Sequence, residues 1–123
     1  EMLRFSTPVM QFRRTAMQDT QVGDQTIRRG DKVVMYYGAA NRDPEVFEDP
    51  ERFDIGRNPN PHLAFGGGTH YCLGTHLARM EAQSAIGRLL QRFTAFERVD
   101  EKVEWGASLF RVPASLPVRF RVR

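Results

Sequence analysis

Cys72 is the only cysteine of this 123-residue chain, and three successive glycines precede it in the run FGGGTHYCLG of residues 65–74. Glycine lets a backbone turn through positive φ and approach a flat ligand closely. Behind Cys72, apolar residues recur at helical spacing, at Leu77, Ala78, Met80, Ala82, Ala85, Ile86, Leu89, Leu90 and Phe93. The pattern predicts that Cys72 lies at the amino end of a helix, where unpaired amides and the helix dipole favour a thiolate.

A thiolate in this position could be a soft metal ligand, a covalent nucleophile or a redox thiol. A nucleophile needs a base, for which His70 and His76 are close only in sequence. A redox thiol usually works with a second cysteine, which this chain lacks. Structural zinc would need His62 as well, and these histidines lack the paired spacing of zinc sites. The residues alone leave two main interpretations open: a cysteine buried in a glycine-rich turn, and an axial ligand of haem.

The same ten residues resemble the haem-binding loop of the cytochrome P-450 superfamily, whose pattern is Phe-x-x-Gly-x-x-x-Cys-x-Gly. The four fixed positions are filled by Phe65, Gly68, Cys72 and Gly74, and the histidine at position 70 is similar to the soluble bacterial members. The resemblance implies that the Cys72 thiolate is the axial ligand of a haem b iron and favours cleavage of the O–O bond. The other residues that it assigns to the cofactor are Phe65, Gly66, Gly68, His70 and Gly74.

Glu1 and Arg4 are one helical turn apart, so their side chains can pair. On the surface such a pair would contribute only ~0.3–0.5 kcal/mol. In the superfamily, Glu-x-x-Arg marks the helix that braces the haem loop, and a Pro-x-Arg-Phe element supplies a second arginine. The resemblance assigns that role to Arg52, in residues 50–53, and implies a buried Glu–Arg–Arg cluster that holds geometry.

Val9, Met10 and Phe12 belong to an extended segment that continues into two arginines. It resembles the superfamily strand that lines the substrate pocket and ends in an arginine bound to a haem propionate. Arg14 is the better positional match and Arg13 the alternative, since guanidinium pairs bidentately with carboxylates. Without the resemblance, an arginine on the solvent side of a strand is the simpler interpretation.

Short strands are predicted between residues 19 and 37, and the prolines of residues 43–62 predict an ordered but irregular meander. After the long helix, residues 99–105 and 108–122 return to short strands. The resemblance makes Leu109 and Phe110 substrate-contact candidates at a hairpin tip, whereas core packing of a terminal hairpin explains them equally well. The predicted fold is an α+β portion of a mainly α cytochrome P-450 fold: bracing helix, small antiparallel sheet, meander, haem loop, long helix and terminal hairpin.

The composition is that of a globular domain, with 41% hydrophobic and 27% charged residues. The sequence contains no run of the ~20 apolar residues that a spanning helix requires. The net charge of +3 comes from scattered arginines, a distribution that disfavours nucleic-acid binding and favours an acidic protein partner. The sequence begins Glu-Met-Leu-Arg, and we interpret residues 1–123 as the carboxyl-terminal, haem-loop-bearing part of a larger domain.

The function implied by the resemblance is monooxygenation of a hydrophobic small molecule, with a lipid or a sterol as the expected class. Electrons would come from a ferredoxin-type or reductase partner in the cytoplasm, and Arg79 and Arg88 are the arginines that we expect an acidic donor to meet. Two alternatives remain: a haem-binding or structural module without catalysis, and a relative that uses peroxide.

Overall fold

The computed structural model describes residues 1–99, 102–106 and 108–123, and the chain divides into two compact units, Glu1–Ala64 and Phe65–Arg123. The first unit begins with helix α1 (Met2–Ser6), which ends at Thr7 in the left-handed conformation, with φ of 40°. Four strands follow, at β1 (Gln11–Thr15), β2 (Thr20–Val22), β3 (Gln25–Ile27) and β4 (Lys32–Tyr36), and then the short helix α2 (Tyr37–Ala40). The rest of this unit is irregular, as the prolines of the meander predict.

The strands of the first unit pair as two antiparallel ribbons. Strand β1 pairs with β4, with Arg14 opposite Val33, and β2 pairs with β3 through a turn in which Gly23 has φ of 59°. The predicted extension of the last strand to Tyr37 is wrong, because Tyr37 begins helix α2 and is buried. Its amide donates to the Met10 carbonyl at 2.9 Å, and its ring contacts Phe12, so the chain turns inward at this residue.

Polar side chains occupy much of the centre of the first unit. Arg4 and Asn41 are fully buried and Thr7 is 2% exposed, and the buried apolar residues of this unit include Phe47 and Tyr37. A buried polar group is costly unless it is hydrogen-bonded, so we expect Arg4, Asn41 and Thr7 to have hydrogen-bond partners.

The second unit contains a 3-10 turn (Gly68–His70), helix α3 (Thr75–Arg92) and four strands. The strands are β5 (Phe93–Arg98), β6 (Glu104–Trp105), β7 (Pro113–Ser115) and β8 (Val118–Val122). Strand β5 pairs with β8 and β6 with β7, both antiparallel, which confirms the predicted terminal hairpin. Among the described residues, no helix has both the length and the apolar character that crossing a membrane demands.

The assignment of Phe93 to the long helix is wrong. The helix ends at Arg92, and Phe93 starts strand β5 opposite Val122, with its ring centroid 4.1 Å from that of Phe120. Because the aromatic pair buries Phe93 against β8, tertiary packing overrides the helical periodicity here. The apolar face of α3 remains largely exposed within the described chain, including Leu77, Met80, Leu89 and Leu90.

Candidate functional site

The loop around Cys72 is closed by its own backbone. The Cys72 amide donates to the Phe65 carbonyl at 2.8 Å, and the Tyr71 amide donates to the Gly68 carbonyl at 3.1 Å. Gly66 and Gly68 have φ of 72° and 60°, values at which a side chain strains the backbone. A Cβ added at Gly68 would meet nothing within 4 Å, so this glycine is required by its backbone conformation and not by crowding within the chain.

On its other side, the loop is joined to the first turn of α3. The Cys72 carbonyl accepts hydrogen bonds from the Thr75 hydroxyl at 2.7 Å and from the Thr75 amide at 3.3 Å. Thr75 is 4% exposed, and Gly74 occupies the N-cap position. We did not predict this role from the sequence, although a hydroxyl residue beside a helix start is a known signal of local side-chain-to-backbone bonding.

Cys72 itself is exposed, and its thiol forms no disulfide. The interpretation of Cys72 as a buried core cysteine is therefore wrong for this chain. A backbone held at both ends, two glycines at positive φ and an accessible soft sulfur donor match what an axial haem ligand requires. The residues present therefore fit a haem bound through Cys72.

Phe65 contacts two neighbours in the same unit. Its ring lies 6.4 Å from that of Tyr71, and the Arg79 guanidinium lies 5.2 Å from the Phe65 ring centroid. That distance is within the range of a cation–π contact. Arg79, predicted only as a surface residue for a partner, therefore also supports the first residue of the loop.

The three histidines lie in different environments. His70 ends the 3-10 turn and is exposed, and His76 is exposed on α3. His62 is half-buried, and its Nδ1 accepts from the Ala64 amide at 3.3 Å. Across the residues that the structure describes, no three His, Cys, Asp or Glu side chains form a group that could hold a metal ion.

Glu1 and Arg4 form a buried bidentate pair in the first unit. Arg4 Nε and Nη2 donate to the two Glu1 carboxylate oxygens at 2.8 and 2.7 Å, and the two side chains are 2% or less exposed. The pairing predicted from their spacing is confirmed, whereas the surface interpretation is wrong. Two parallel charge-assisted bonds fix the relative orientation of the two groups.

Every N–H of the Arg4 guanidinium has an acceptor. Beyond the two bonds to Glu1, Nη1 donates to the carbonyls of Asn41 and Pro50 at 2.7 and 2.8 Å, and Nη2 donates to the Arg52 carbonyl at 3.2 Å. Arginine has five such donors in a fixed fork, and lysine could not reach this set. The Phe47 ring centroid lies 5.1 Å from the guanidinium. Arg4 therefore connects α1 to three points of the irregular segment.

The expected second arginine of this cluster is corrected. Arg52 is exposed and contributes its backbone carbonyl, whereas Arg57 brings its guanidinium to Glu1, with Nε 3.4 Å from Oε2. Asn60 Nδ2 also donates to Oε2, at 3.2 Å. The sequence pattern alone could not separate Arg52 from Arg57, because the irregular backbone between them decides which side chain turns inward.

These contacts shift the pKa of Glu1 and the pKa of Arg4. The Arg4 hydrogen bonds hold the pKa of Glu1 far below its usual range, with burial opposing them and the Asp54 amide assisting. The bond to Glu1 raises the pKa of Arg4 against the opposing effect of burial. Both groups are therefore charged at neutral pH, as a buried ion pair needs.

The two strand arginines and the first two substrate-contact candidates, Val9 and Met10, lie in the first unit. Arg14 is half-buried on β1, with its guanidinium 6.0 Å from the Phe12 ring and Nη1 donating to the Arg13 carbonyl. Arg13 is exposed, opposite Val34. Val9 is half-buried and Met10 is 39% exposed, just before β1.

Leu109 and Phe110 lie in the segment between β6 and β7 and are 45% and 48% exposed. The Phe110 amide donates to the Ser108 hydroxyl at 3.1 Å, which gives a tight local turn.

Residues 1–113 match the sequence profile of the cytochrome P450 family. The chain is 46% identical over 121 residues to the biotin biosynthesis cytochrome P450 of Bacillus subtilis (strain 168), a match that covers 98% of this chain and 31% of that protein. It is 55% identical over 82 residues to the steroid C26-monooxygenase of Rhodococcus jostii (strain RHA1), covering 66% of this chain and 17% of that protein.

Among solved structures, the chain is similar to P450BioI in complex with an acyl carrier protein ligated to hexadec-9Z-enoic acid. The TM-score is 0.92 at 46% identity, and the match covers 97% of this chain and 31% of that one. The chain thus spans less than a third of the length of these relatives, and its mixed helices and small antiparallel ribbons correspond to part of their fold. With the profile matched over nearly all its residues, the chain belongs to the cytochrome P450 family, whose members hold haem iron through a cysteine thiolate.

Proposed function

We propose that this chain carries the haem-thiolate site of a monooxygenase that inserts one oxygen atom of O2 into a hydrophobic small molecule. The observation that carries the proposal is the exposed Cys72 on a loop fixed by the Phe65 carbonyl and by Thr75. Relatives with 46% and 55% identity include a named monooxygenase, which supports the same reaction class.

In this proposal, Cys72 would hold the iron of haem b through its thiolate, and the cofactor would supply the activation of O2. Phe65, Gly66, Gly68 and Gly74 shape the loop so that the sulfur stays accessible and its backbone stays fixed. His70 and Arg14 neutralise the haem propionates, a role suited to cationic donors. The Glu1–Arg4–Arg57 cluster stabilises the fold and takes no part in the chemistry.

We extend the proposal to substrate and electron donor. The substrate is a lipid or a sterol: one relative is named for a steroid, and another was solved with a C16 acyl chain on its carrier protein. Val9, Met10, Leu109 and Phe110 are the contact candidates. Electrons come from a ferredoxin-type or reductase partner in the cytoplasm, with Arg79 and Arg88 attracting an acidic donor.

We also propose that residues 1–123 are the carboxyl-terminal part of one larger P450 domain. The exposed apolar face of α3 supports this, because Leu77, Met80 and Leu89 would be covered by further parts of such a domain. The match to the Bacillus subtilis relative, which covers 98% of this chain and only 31% of that protein, agrees with the proposal.

The test uses the full-length protein, reduced and exposed to carbon monoxide. Thiolate ligation gives a red-shifted Soret band, and we expect Cys72→Ala to abolish it, whereas His76→Ala leaves it intact as a matched surface control. A red-shifted Soret band that persists in Cys72→Ala would refute the assignment.

Turnover separates the alternatives. Oxidation of a steroid or fatty-acid substrate that depends on a reduced donor and O2 supports a monooxygenase. Turnover with hydrogen peroxide alone would favour a peroxide-using relative, and thiolate ligation without turnover in either assay would favour a binding module.

A further inference from the structure

We propose that Asn41 is a positioning residue for the haem-thiolate loop, which acts by holding the backbone amide of Leu63. The inference rests on the proposed function, because it assigns Asn41 a role at the cysteine loop. Nothing in the P-450 loop pattern includes this position, which lies 31 residues before Cys72 in the sequence.

Asn41 is fully buried, and both ends of its side-chain amide are hydrogen-bonded. Its Oδ1 accepts from the Leu63 amide at 2.7 Å, and its Nδ2 donates to the Thr7 hydroxyl at 3.0 Å. The contact with Leu63 bridges 22 positions of the sequence, and the contact with Thr7 bridges 34. The single amide therefore joins the residue that ends α1 to the end of the irregular segment.

Three consecutive hydrogen bonds connect Leu63 to Arg4 through Asn41 and Thr7, and each residue donates to the next one along the path. Leu63 N–H donates to Asn41, Asn41 donates to Thr7, and the Thr7 hydroxyl donates to the Arg4 carbonyl at 2.6 Å. Because the hydroxyl proton is used on Arg4, Thr7 can only accept from Asn41, which fixes the orientation of the amide. No other side chain of this shape offers one acceptor and one donor in that order.

The backbone of Asn41 is fixed as well. Its carbonyl accepts from Arg4 Nη1 at 2.7 Å, and its amide donates to the Tyr37 carbonyl at 2.9 Å. Asn41 therefore cannot shift to follow Leu63, and Leu63 must adapt to Asn41. Leu63 is two residues before Phe65, the residue whose carbonyl binds the Cys72 amide. A loss of the Asn41 contact thus frees the backbone that leads directly into the loop.

The experiment compares Asn41→Leu with Thr7→Val in the full-length protein. Both substitutions keep side-chain shape and remove two buried side-chain hydrogen bonds, one of which is the shared bond between Asn41 and Thr7, so both destabilise the fold. Only Asn41→Leu removes the acceptor of the Leu63 amide, whereas Thr7→Val leaves that acceptor in place. The readouts are hydrogen exchange of the Leu63 amide without haem, and the fraction of reduced protein with the thiolate Soret band.

We expect Asn41→Leu to speed exchange at Leu63 by about tenfold or more, and to convert a substantial share of the protein to a form without thiolate ligation. Thr7→Val should keep the wild-type thiolate fraction. A third variant, Asn41→Asp, retains an acceptor for Leu63 and should preserve both Leu63 protection and the thiolate band in whatever folded fraction it gives.

Equal loss of the thiolate band in Asn41→Leu and Thr7→Val would overturn the inference, since the band would then follow stability alone. If Asn41→Leu does not fold, loss of the thiolate band in folded Asn41→Asp with the Leu63 amide still protected would overturn the inference. A wild-type protein without the thiolate band would instead refute the proposed function, so the two failures are distinguishable.

Discussion

Replacing Glu1 by glutamine tests whether the buried ion pair stabilises the first unit. Glutamine keeps the shape and one acceptor oxygen but turns the other oxygen into an NH2 group. In the structure, Oε2 accepts from Arg4 Nε at 2.8 Å and from Asn60 Nδ2 at 3.2 Å. In the variant, these two donors face a third donor, and the fully buried Arg4 loses the charge that balances its own.

The expected magnitude follows from those contacts. Hydrogen bonds to a charged group contribute about 1.5–3 kcal/mol each, and two are lost. Removing one partner of a buried ion pair costs about 3–5 kcal/mol, because the other charge remains buried. We therefore expect Glu1→Gln to lower the free energy of unfolding by about 3–5 kcal/mol, a large part of the ~5–15 kcal/mol of a typical domain.

The assay is urea unfolding of the full-length protein at neutral pH, followed by far-UV circular dichroism. Glu51→Gln is the matched control, since Glu51 pairs with Arg42 at 3.2 Å but its side chain is 76% exposed. An exposed pair is expected to contribute less than about 1 kcal/mol. The reasoning is refuted if Glu1→Gln and Glu51→Gln lower the unfolding free energy by the same amount.

Three further predictions concern pH, one glycine of the loop and one of the helix, and the electron donor. Because the folded-state pKa of Glu1 lies below its unfolded value, its contribution to stability is fully present above pH ~5 and decreases as pH falls below the unfolded pKa of ~4.3 toward the folded-state pKa. The difference in unfolding free energy between wild type and Glu1→Gln, measured by urea unfolding, should therefore become smaller in acid. A difference that stays constant down to pH 3 contradicts this. Gly68→Ala should destabilise the protein by about 1–2 kcal/mol, because the residue at this position has a positive φ. Gly87→Ala inside α3, where a Cβ meets nothing within 4 Å, should stabilise it by about 0.5–1 kcal/mol. Thermal unfolding of both variants checks that the two changes in stability have opposite signs. Arg88→Glu should slow reduction by an acidic ferredoxin and reduce the salt dependence of that rate in stopped-flow measurements. Arg88 is the better residue to test, because Arg79→Glu would also remove the contact with Phe65. An unchanged rate would show that Arg88 does not take part in binding the electron donor.

Features set by local chemistry were predictable from the sequence. Cys72 in its glycine-rich loop, the long helix behind it and the pairing of Glu1 with Arg4 all follow from spacing over a few residues. Periodicity and glycine content act on the chain locally, so no tertiary contact was needed to anticipate them. The end of the helix was not predictable in this way, because Phe93 obeys the helical spacing and yet packs on Phe120.

Tertiary structure decided which polar residues are buried and what they bind. Arg57 rather than Arg52 reaches Glu1, and Asn41 binds the Leu63 amide, over separations of 56 and 22 residues. Such contacts depend on how an irregular backbone folds back on itself. An irregular backbone has no sequence periodicity from which these contacts could be predicted. The residue types and spacing thus determined the glycine-rich cysteine loop and its helix, whereas the burial of a polar cluster, and with it the complete pairing of the Arg4 donors, emerged only from long-range packing.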